Sequence, residues 1–385
     1  MSERDILLDV SRLIWRLWRG RLPTGVDRVC LAYLHHYRRR SRAVVQRKGR
    51  YFVLNEGHSD WLFDLLASGP DGFRRRMVQL GLRAFSAARR TPEQEGLIYL
   101  NVGHTGLDDP SLSRWIAEAR VRAIFLIHDL IPLLHPEFCR PGEQAKHERR
   151  MKNVLSSAAG LIANSEATSR DIHAFASRRG LAVPSTAVAL LGAPEVPSNI
   201  LPRRFDRPHF VTVGTIEGRK NHVLLLNLWR RLAAEGGSNV PILVIVGQRG
   251  WEAEAAIDML DHAPDLKGPV VELGECADDE LAAIIAGARA LLMPSFAEGF
   301  GLPVMEALQL GTPVIASDLA VFREFSADLP IYLDPLDDPA WERAIRALAE
   351  SPERDRHLQR IAGYRAPDWR AHFNTVDSWI GTLPQ

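Results

Sequence analysis

Short runs of β-branched and aliphatic residues alternate with stretches of helical period along the whole chain. In the first half the apolar runs fall at 6–10, 43–46, 97–102, 123–127, 160–164 and 187–191, with helical segments between them. In the second half they fall at 209–214, 242–247, 270–273, 290–293 and 314–316. Buried parallel strands joined by crossover helices leave this pattern. The expected fold is α/β, two doubly wound Rossmann-like domains facing a cleft. Between the two series, segment 192–202 holds three prolines and one glycine, which disfavours regular structure and marks an interdomain hinge. The domains are therefore expected at 1–200 and 201–365. Ligands of open α/β sheets bind beyond the carboxyl ends of the strands, so the informative residues should lie on the loops there.

A chain of 385 residues with 46% hydrophobic and 25% charged positions can bury ordinary cores, which excludes a disordered or fibrous protein. The net charge of +1 carries no global signature of nucleic-acid binding. It hides an asymmetry, because residues 1–200 hold thirty basic and twenty acidic side chains and the remainder eighteen and twenty-seven. Cys30, Cys139 and Cys276 are too few and too scattered for a disulfide framework or a zinc knuckle. No apolar stretch reaches the roughly 18 residues of a membrane span. The expected location is cytoplasmic, with attachment to the inner face of the membrane as a variant. No metal is expected, since no His-x-x-x-His or clustered carboxylate pattern stands on one element.

Segment 293–307 reads as a strand, a glycine loop and a helix with Pro303 in its first turn. Such a loop aims backbone N–H groups of Gly299, Phe300, Gly301 and Leu302 at an anion. Glu298 and Glu306, seven residues between them, add carboxylates suited to vicinal hydroxyls, as on a ribose or a hexose. Glu306 alone reads equally as a helix-start carboxylate. Segment 211–222 is a second strand and tight turn, through Gly214 and Thr215, with Arg219 and Lys220 where they could neutralise a leaving diphosphate. Its plain alternative is a solvated surface pair. The loops at Gly247 and at Leu273 to Cys276 also follow strands, and ordinary turns would look the same. In the first half, His128 ends a strand, where a core histidine is the bland reading. Thr24, Gly25 and Arg28 open a helix either as a backbone site or as a cap, His104 ends another strand, and Ser165 reads as a cap.

The Glu298-to-Glu306 string, with Gly-Phe-Gly-Leu-Pro inside it, closely resembles the signature of the retaining glycosyltransferases of family 4, which have the GT-B fold. The likeness covers most of the chain and is strongest from 210 to 335. It implies a metal-independent hexosyltransferase that needs no cofactor and takes a nucleotide sugar as co-substrate. By the resemblance, Lys220 and Arg219 bind the donor diphosphate, Glu306 the ribose, and Glu298 with the 300–302 backbone the sugar and phosphate. It also implies base contacts near Leu273 and Cys276, and His128 close to the donor sugar. Many members have arginine where this chain has Thr215. The Thr24 to Arg28 string is similar to one found in a bacterial subset, and Thr24, Gly25, Arg28 and His104 are the expected acceptor contacts. Members of the family return their last helix to the first domain, here 366–385. The Gly-Thr-Ile-Glu-x-Arg-Lys-Asn turn is similar to that of transferases of bacterial surface polysaccharides, several using GDP-mannose. That implies a mannose-like sugar and a glycan or polyprenyl-diphosphate-linked acceptor. A nucleotide-sugar epimerase of similar architecture and a catalytically silent nucleotide-sugar-binding protein are the alternatives.

Two basic clusters mark the N-terminal half. Arg12, Arg16, Arg19 and Arg21 interleave with Trp15 and Trp18, and Arg38, Arg39, Arg40, Arg42, Arg47 and Lys48 follow. Basic-aromatic faces suit an anionic membrane surface, and a merely solvated face would have the same composition. No nucleic-acid module is present, so no nucleic-acid partner is expected.

Overall fold

The computed structural model describes residues 4–20, 24–69, 72–84, 88–92, 94–196, 199–236 and 240–384. Arg21, Leu22 and Pro23 of the first-helix loop, and the hinge residues Pro197 and Ser198, lie outside them. The chain divides into two compact units. The first comprises 1–130, 144–191 and 369–385, and the second 131–143 and 192–368.

The first unit is built on β1 (Ile6–Asp9), β2 (Ser41–Arg47), β3 (Arg50–Val53), β4 (Ile98–Asn101), β5 (Arg122–Ile127), β6 (Gly160–Ala163) and β7 (Thr186–Val188), in the order β3-β2-β1-β4-β5-β6-β7. Pairing is parallel except for β3, which returns antiparallel along β2 with Val44 opposite Val53. Lys48 and Gly49, at φ +49° and +69°, make the two-residue turn whose twist closes such a hairpin. β1, β4, β5 and β6 are almost wholly buried, as runs covered on both faces must be.

The last helix, Trp369–Ile380, belongs to this unit and packs on the helix Gly25–Tyr37. Phe373 stacks on His36 at 3.9 Å between centroids, and the Tyr37 hydroxyl donates to Asp377 at 2.7 Å. His372 is buried, and burial pulls its imidazole down to about 4, so it is neutral at pH 7. Its Nδ1 faces the Leu190 carbonyl at 3.0 Å and its Nε2 the Tyr33 hydroxyl at 2.7 Å, so Nδ1–H donates and Nε2 accepts. Tyr33→Phe leaves that acceptor unsatisfied and is expected to cost about 1–2 kcal/mol, read as a lower urea midpoint at unchanged slope.

The second unit holds β8 (His209–Val213), β9 (Ile242–Val246), β10 (Val270–Leu273), β11 (Leu291–Met293), β12 (Val314–Ser317) and β13 (Ile331–Leu333), all parallel, in the order β10-β9-β8-β11-β12-β13. This is the 3-2-1-4-5-6 order of a Rossmann sheet, and its strand order reverses between β8 and β11. The core between sheet and helices gathers Phe210, Leu225, Trp229, Leu243, Ile245, Leu292, Ile315 and Trp341.

The unit boundaries depart from a simple division near residue 200. Residues 131–143, which follow β5 in sequence, belong to the second unit. Phe138 explains this, since its ring stacks on Phe296 at 5.2 Å and its carbonyl accepts from Trp251 Nε1 at 3.3 Å. Ala193 N–H donates to the Pro367 carbonyl at 2.9 Å, so the incoming and outgoing stretches of the second unit run side by side.

Candidate functional site

At the reversal point of the second sheet, the loop after β8 meets the loop after β11. Gly214 follows β8 with φ +139°, and a Cβ built on it would lie 3.1 Å from Lys220 Cε and 3.2 Å from Nζ. Glycine thus leaves the room through which Lys220 folds back over the strand end. A 3-10 turn, Gly218–Lys220, is closed by Asn221 in the left-handed region, and Asn221 Nδ2 donates to the Pro335 carbonyl at 3.0 Å. The two loops are fastened together by Phe296 N–H donating to the Arg219 carbonyl at 2.8 Å.

Four charges and a hydroxyl converge there. Lys220 Nζ donates to Glu298 Oε1 at 2.5 Å and Ser295 Oγ to the same oxygen at 2.7 Å. Arg219 Nη1 donates to Glu298 Oε2 and to the Ala297 carbonyl, both at 2.9 Å, while its Nη2 lies 2.6 Å from Glu217 Oε1. Lys220 is only 8% exposed, which overturns the reading of Arg219 and Lys220 as a solvated surface pair. Burial would push the Glu298 carboxyl up, but the Lys220 and Arg219 cations and their hydrogen bonds outweigh it and hold the group at about 2. Burial pulls the Lys220 ammonium down, and the Glu298 carboxylate opposes that pull. Glu217 is pushed up by burial, against the attraction of Arg219 and Lys220.

The helix Leu302–Gln309 starts at Gly301, which caps it in the left-handed region at φ +107° with Pro303 in the first turn. Glu306 is buried one turn into it. The other loop residues singled out in the sequence adjoin the same strand ends. Gly247 N–H donates to the Leu273 carbonyl at 2.9 Å, and a Cβ on Gly247 would fall 2.0 Å from the Gly214 carbonyl oxygen. Ile216 and Gln248 share a backbone bond of 2.9 Å, which joins the loops after β8 and β9. Thr215 packs against Gly250, where an added Cβ would lie 2.5 Å from its methyl group. Cys276 stands three residues past β10, and burial and Glu280 push its thiol up to about 11, so it is no nucleophile.

In the first unit the structure brings His104 and His128 together, ring centroids 4.8 Å apart. His128 Nε2 contacts the Val102 carbonyl at 2.8 Å and burial lowers its imidazole to about 4, so it is a neutral ring with Nε2–H as donor. His104, at φ +59°, contacts the Leu126 carbonyl at 2.9 Å and is also pulled down by burial. Asn164 Nδ2 donates to the His128 carbonyl at 2.8 Å, and Ser165 Oγ caps its helix by accepting from Thr168 N–H at 3.0 Å. Thr24 is likewise a cap. Its N–H and hydroxyl donate to Asp27 Oδ2 at 2.7 and 2.6 Å, and the buried Asp27 carboxylate also meets Arg12 Nε at 2.7 Å and Arg16 Nε at 3.2 Å. Gly25 is exposed in this loop and Arg28 half-buried.

Sequence reasoning missed Glu217, Ser295 and the Asp9 network. Glu217 stands three residues before Lys220 on the same turn, a spacing that could have drawn attention to it. Asp9 ends β1 and accepts from Tyr99 Oη at 2.7 Å, Gln46 Nε2 at 2.5 Å and Ser11 N–H at 2.9 Å. Among the described residues no group of three or more His, Cys, Asp or Glu side chains could hold a metal ion. Nor is any described helix long and apolar enough to cross a membrane.

Residues 198–364, which carry the whole charged cluster, match the family Glycosyl transferases group 1. The chain resembles the serotype-specific mannosyltransferase WbdA of Escherichia coli, at 32% identity over 222 residues, 54% of this chain and 27% of WbdA. The O-antigen chain mannosyltransferase B of Escherichia coli is 29% identical over 224 residues, 56% of this chain and 58% of the relative. The chain thus spans between about a quarter and somewhat over half of the length of these curated relatives. Among solved structures, Anabaena HepE in complex with UDP-glucose superimposes with a TM-score of 0.65 at 16% identity, covering 98% of both chains. The fold is GT-B.

Proposed function

We propose that the protein is a retaining, metal-independent hexosyltransferase of bacterial surface polysaccharide synthesis. It takes a mannose-like sugar from GDP-mannose or another nucleotide sugar and passes it to a glycan or polyprenyl-diphosphate-linked acceptor. The observation that carries this reading is the cluster of buried Lys220, Glu298 and Ser295 with half-buried Arg219 at the reversal point of the second sheet. Two mannosyltransferase relatives support the sugar.

In this reading Lys220 and Arg219 turn from Glu298 toward the donor diphosphate and neutralise the charge that develops as it leaves. Glu306 receives the ribose hydroxyls, and Glu298, once shared with substrate, receives hydroxyls of the sugar. The acceptor oxygen forms a bond to the anomeric carbon on the face from which the diphosphate departs. The carbon–oxygen bond to phosphate breaks with its electron pair going to the diphosphate, and the acceptor proton passes to a departing phosphate oxygen. No enzyme base and no bound cofactor is needed. Gly25, Arg28 and His104 of the first unit are assigned to the acceptor. The protein works in the cytoplasm, at the inner face of the membrane.

The test is a calorimetric titration of GDP, UDP, CDP and dTDP against wild type and Lys220→Ala, each with EDTA present. One nucleotide is expected to bind selectively, and the variant to bind it on the order of 10–100-fold more weakly through loss of a charge-assisted bond. If no nucleoside diphosphate binds the wild type, the donor-site reading fails.

A further inference from the structure

Seven large hydrophobic side chains are conspicuously exposed among the described residues, and three of them sit on two helices that pack together in the first unit. Trp15 and Trp18, 42% and 36% exposed, lie on the helix Ser11–Trp18, and Val78, 50% exposed, lies on the helix Phe73–Ala84. Both helices already bury an apolar side, through Leu13 and Ile14 on one and Phe73, Met77 and Leu80 on the other. The exposed residues are therefore a second, outward apolar set that the fold does not use.

The charges on these two helices are of one sign. Arg74, Arg75 and Arg76 are consecutive and exposed, and Arg19 stands exposed just after Trp18. Arg74 Nε donates to the Trp18 carbonyl at 2.7 Å, which ties the arginine row to the tryptophan end of the neighbouring helix. Neither helix contains an acidic residue. Arg12 and Arg16 are turned toward the buried Asp27 and do not belong to this surface charge. The second basic cluster differs, because Arg38 pairs with Asp64 and Arg40 with Asp5.

We propose that the face formed by Trp15, Trp18 and Val78 with Arg19 and Arg74–Arg76 docks the protein on an anionic lipid bilayer. Tryptophan suits the level between headgroups and acyl chains, since its ring is apolar and its N–H is polar. Each arginine near an anionic surface adds attraction of the kind that polybasic segments supply. The unbalanced charge decides for anionic lipid over a second copy of this chain, whose identical arginine row would repel it across a symmetric contact.

Sedimentation with phosphatidylcholine vesicles, with and without 30% phosphatidylglycerol, tests this at about 0.1 and 0.5 M salt. The full chain is expected to bind only the anionic vesicles, to release at the higher salt and to be quenched by lipids labelled at a shallow chain position. Trp15→Ser with Trp18→Ser, and separately Arg74→Ser with Arg75→Ser and Arg76→Ser, should each weaken binding on the order of tenfold or more. Arg356→Ser with Arg360→Ser, on a helix of the second unit, should not. Circular dichroism melts of each variant exclude unfolding as the cause. Equal binding to neutral vesicles, no binding by wild type, or variants that bind as wild type does would overturn the proposal. So would a wild-type dimer in analytical ultracentrifugation that the tryptophan variant abolishes. None of these readouts depends on nucleotide binding or transfer.

Discussion

Glu298→Ala is expected to destabilise the second unit by about 3–5 kcal/mol, the usual result of stripping one partner from a buried ion pair. The side chains of Glu298 and Lys220 are 6% and 10% exposed, so water cannot take over the role of the missing carboxylate. Lys220 would keep its ammonium in a site where burial already disfavours the charge, beside the like charge of Arg219. Glu298→Gln keeps the shape and one acceptor oxygen, so it should cost less and leave Ser295 and one cation with a partner. Wild type and Glu298→Gln also separate in pH. Unfolded, Glu298 titrates near roughly 4.3, whereas in the fold it is held at about 2. A depressed carboxyl stabilises the fold in full above the unfolded value, and its contribution drains away as pH falls through about 2. Urea midpoints measured from neutral pH down to acid should therefore converge for wild type and Glu298→Gln at the acid end. Parallel curves over the whole range would show that the pair contributes no pH-linked stability.

The parts of this cluster were unequally visible in the sequence. Glu298, Glu306, Arg219 and Lys220 could be placed because glycine loops after aliphatic runs announce strand ends, and strand ends are where such sheets bind. Their burial could not be placed. Glu298 meets Lys220 across 78 positions of sequence, and nothing local to either residue announces a partner that far away. For the same reason Glu217 reads as one more surface charge until Arg219 is seen clamped between it and Glu298. The long strands were legible from their uninterrupted aliphatic character. β3 was not, because Arg50 to Val53 is a four-residue edge strand whose existence depends on the Lys48-Gly49 turn. β13 has three residues and only partial burial, too little for a pattern. Residues 131–143 were misplaced because chain order alone assigns them to the first domain, whereas the stack of Phe138 on Phe296 assigns them to the second. In the N-terminal basic clusters, composition could not separate arginines that face Asp27 from those left outside. It also passed over Arg74 to Arg76, which reach the tryptophans only through the packing of two helices far apart in sequence.

Gly301→Ala is expected to produce the other large effect, through backbone and packing together. At φ +107° a side chain is strained whatever space surrounds it, and here a Cβ would stand 2.3 Å from Phe322 Cε1 and 2.7 Å from Cδ1. Phe322 is fully buried and packs near Phe325, so its ring has nowhere to retreat without disturbing a filled core. Strain and overpacking together should cost about 2–5 kcal/mol, read by urea denaturation. The consequence reaches the site because Gly301 is the cap from which the helix carrying Glu306 departs, three residues after Glu298. A shifted cap moves both carboxylates and the N–H groups of the loop, so nucleotide diphosphate affinity should fall even in the fraction that remains folded. A double-mutant cycle with Phe322→Leu separates the two causes. Leucine removes the ring edge that the new methyl group strikes, so Gly301→Ala should cost less in that background by about 1–2 kcal/mol, the overpacking share. The remainder belongs to the backbone and should persist. If the two substitutions add with no coupling, the clash with Phe322 is relieved by other movements, and left-handed strain alone explains the glycine.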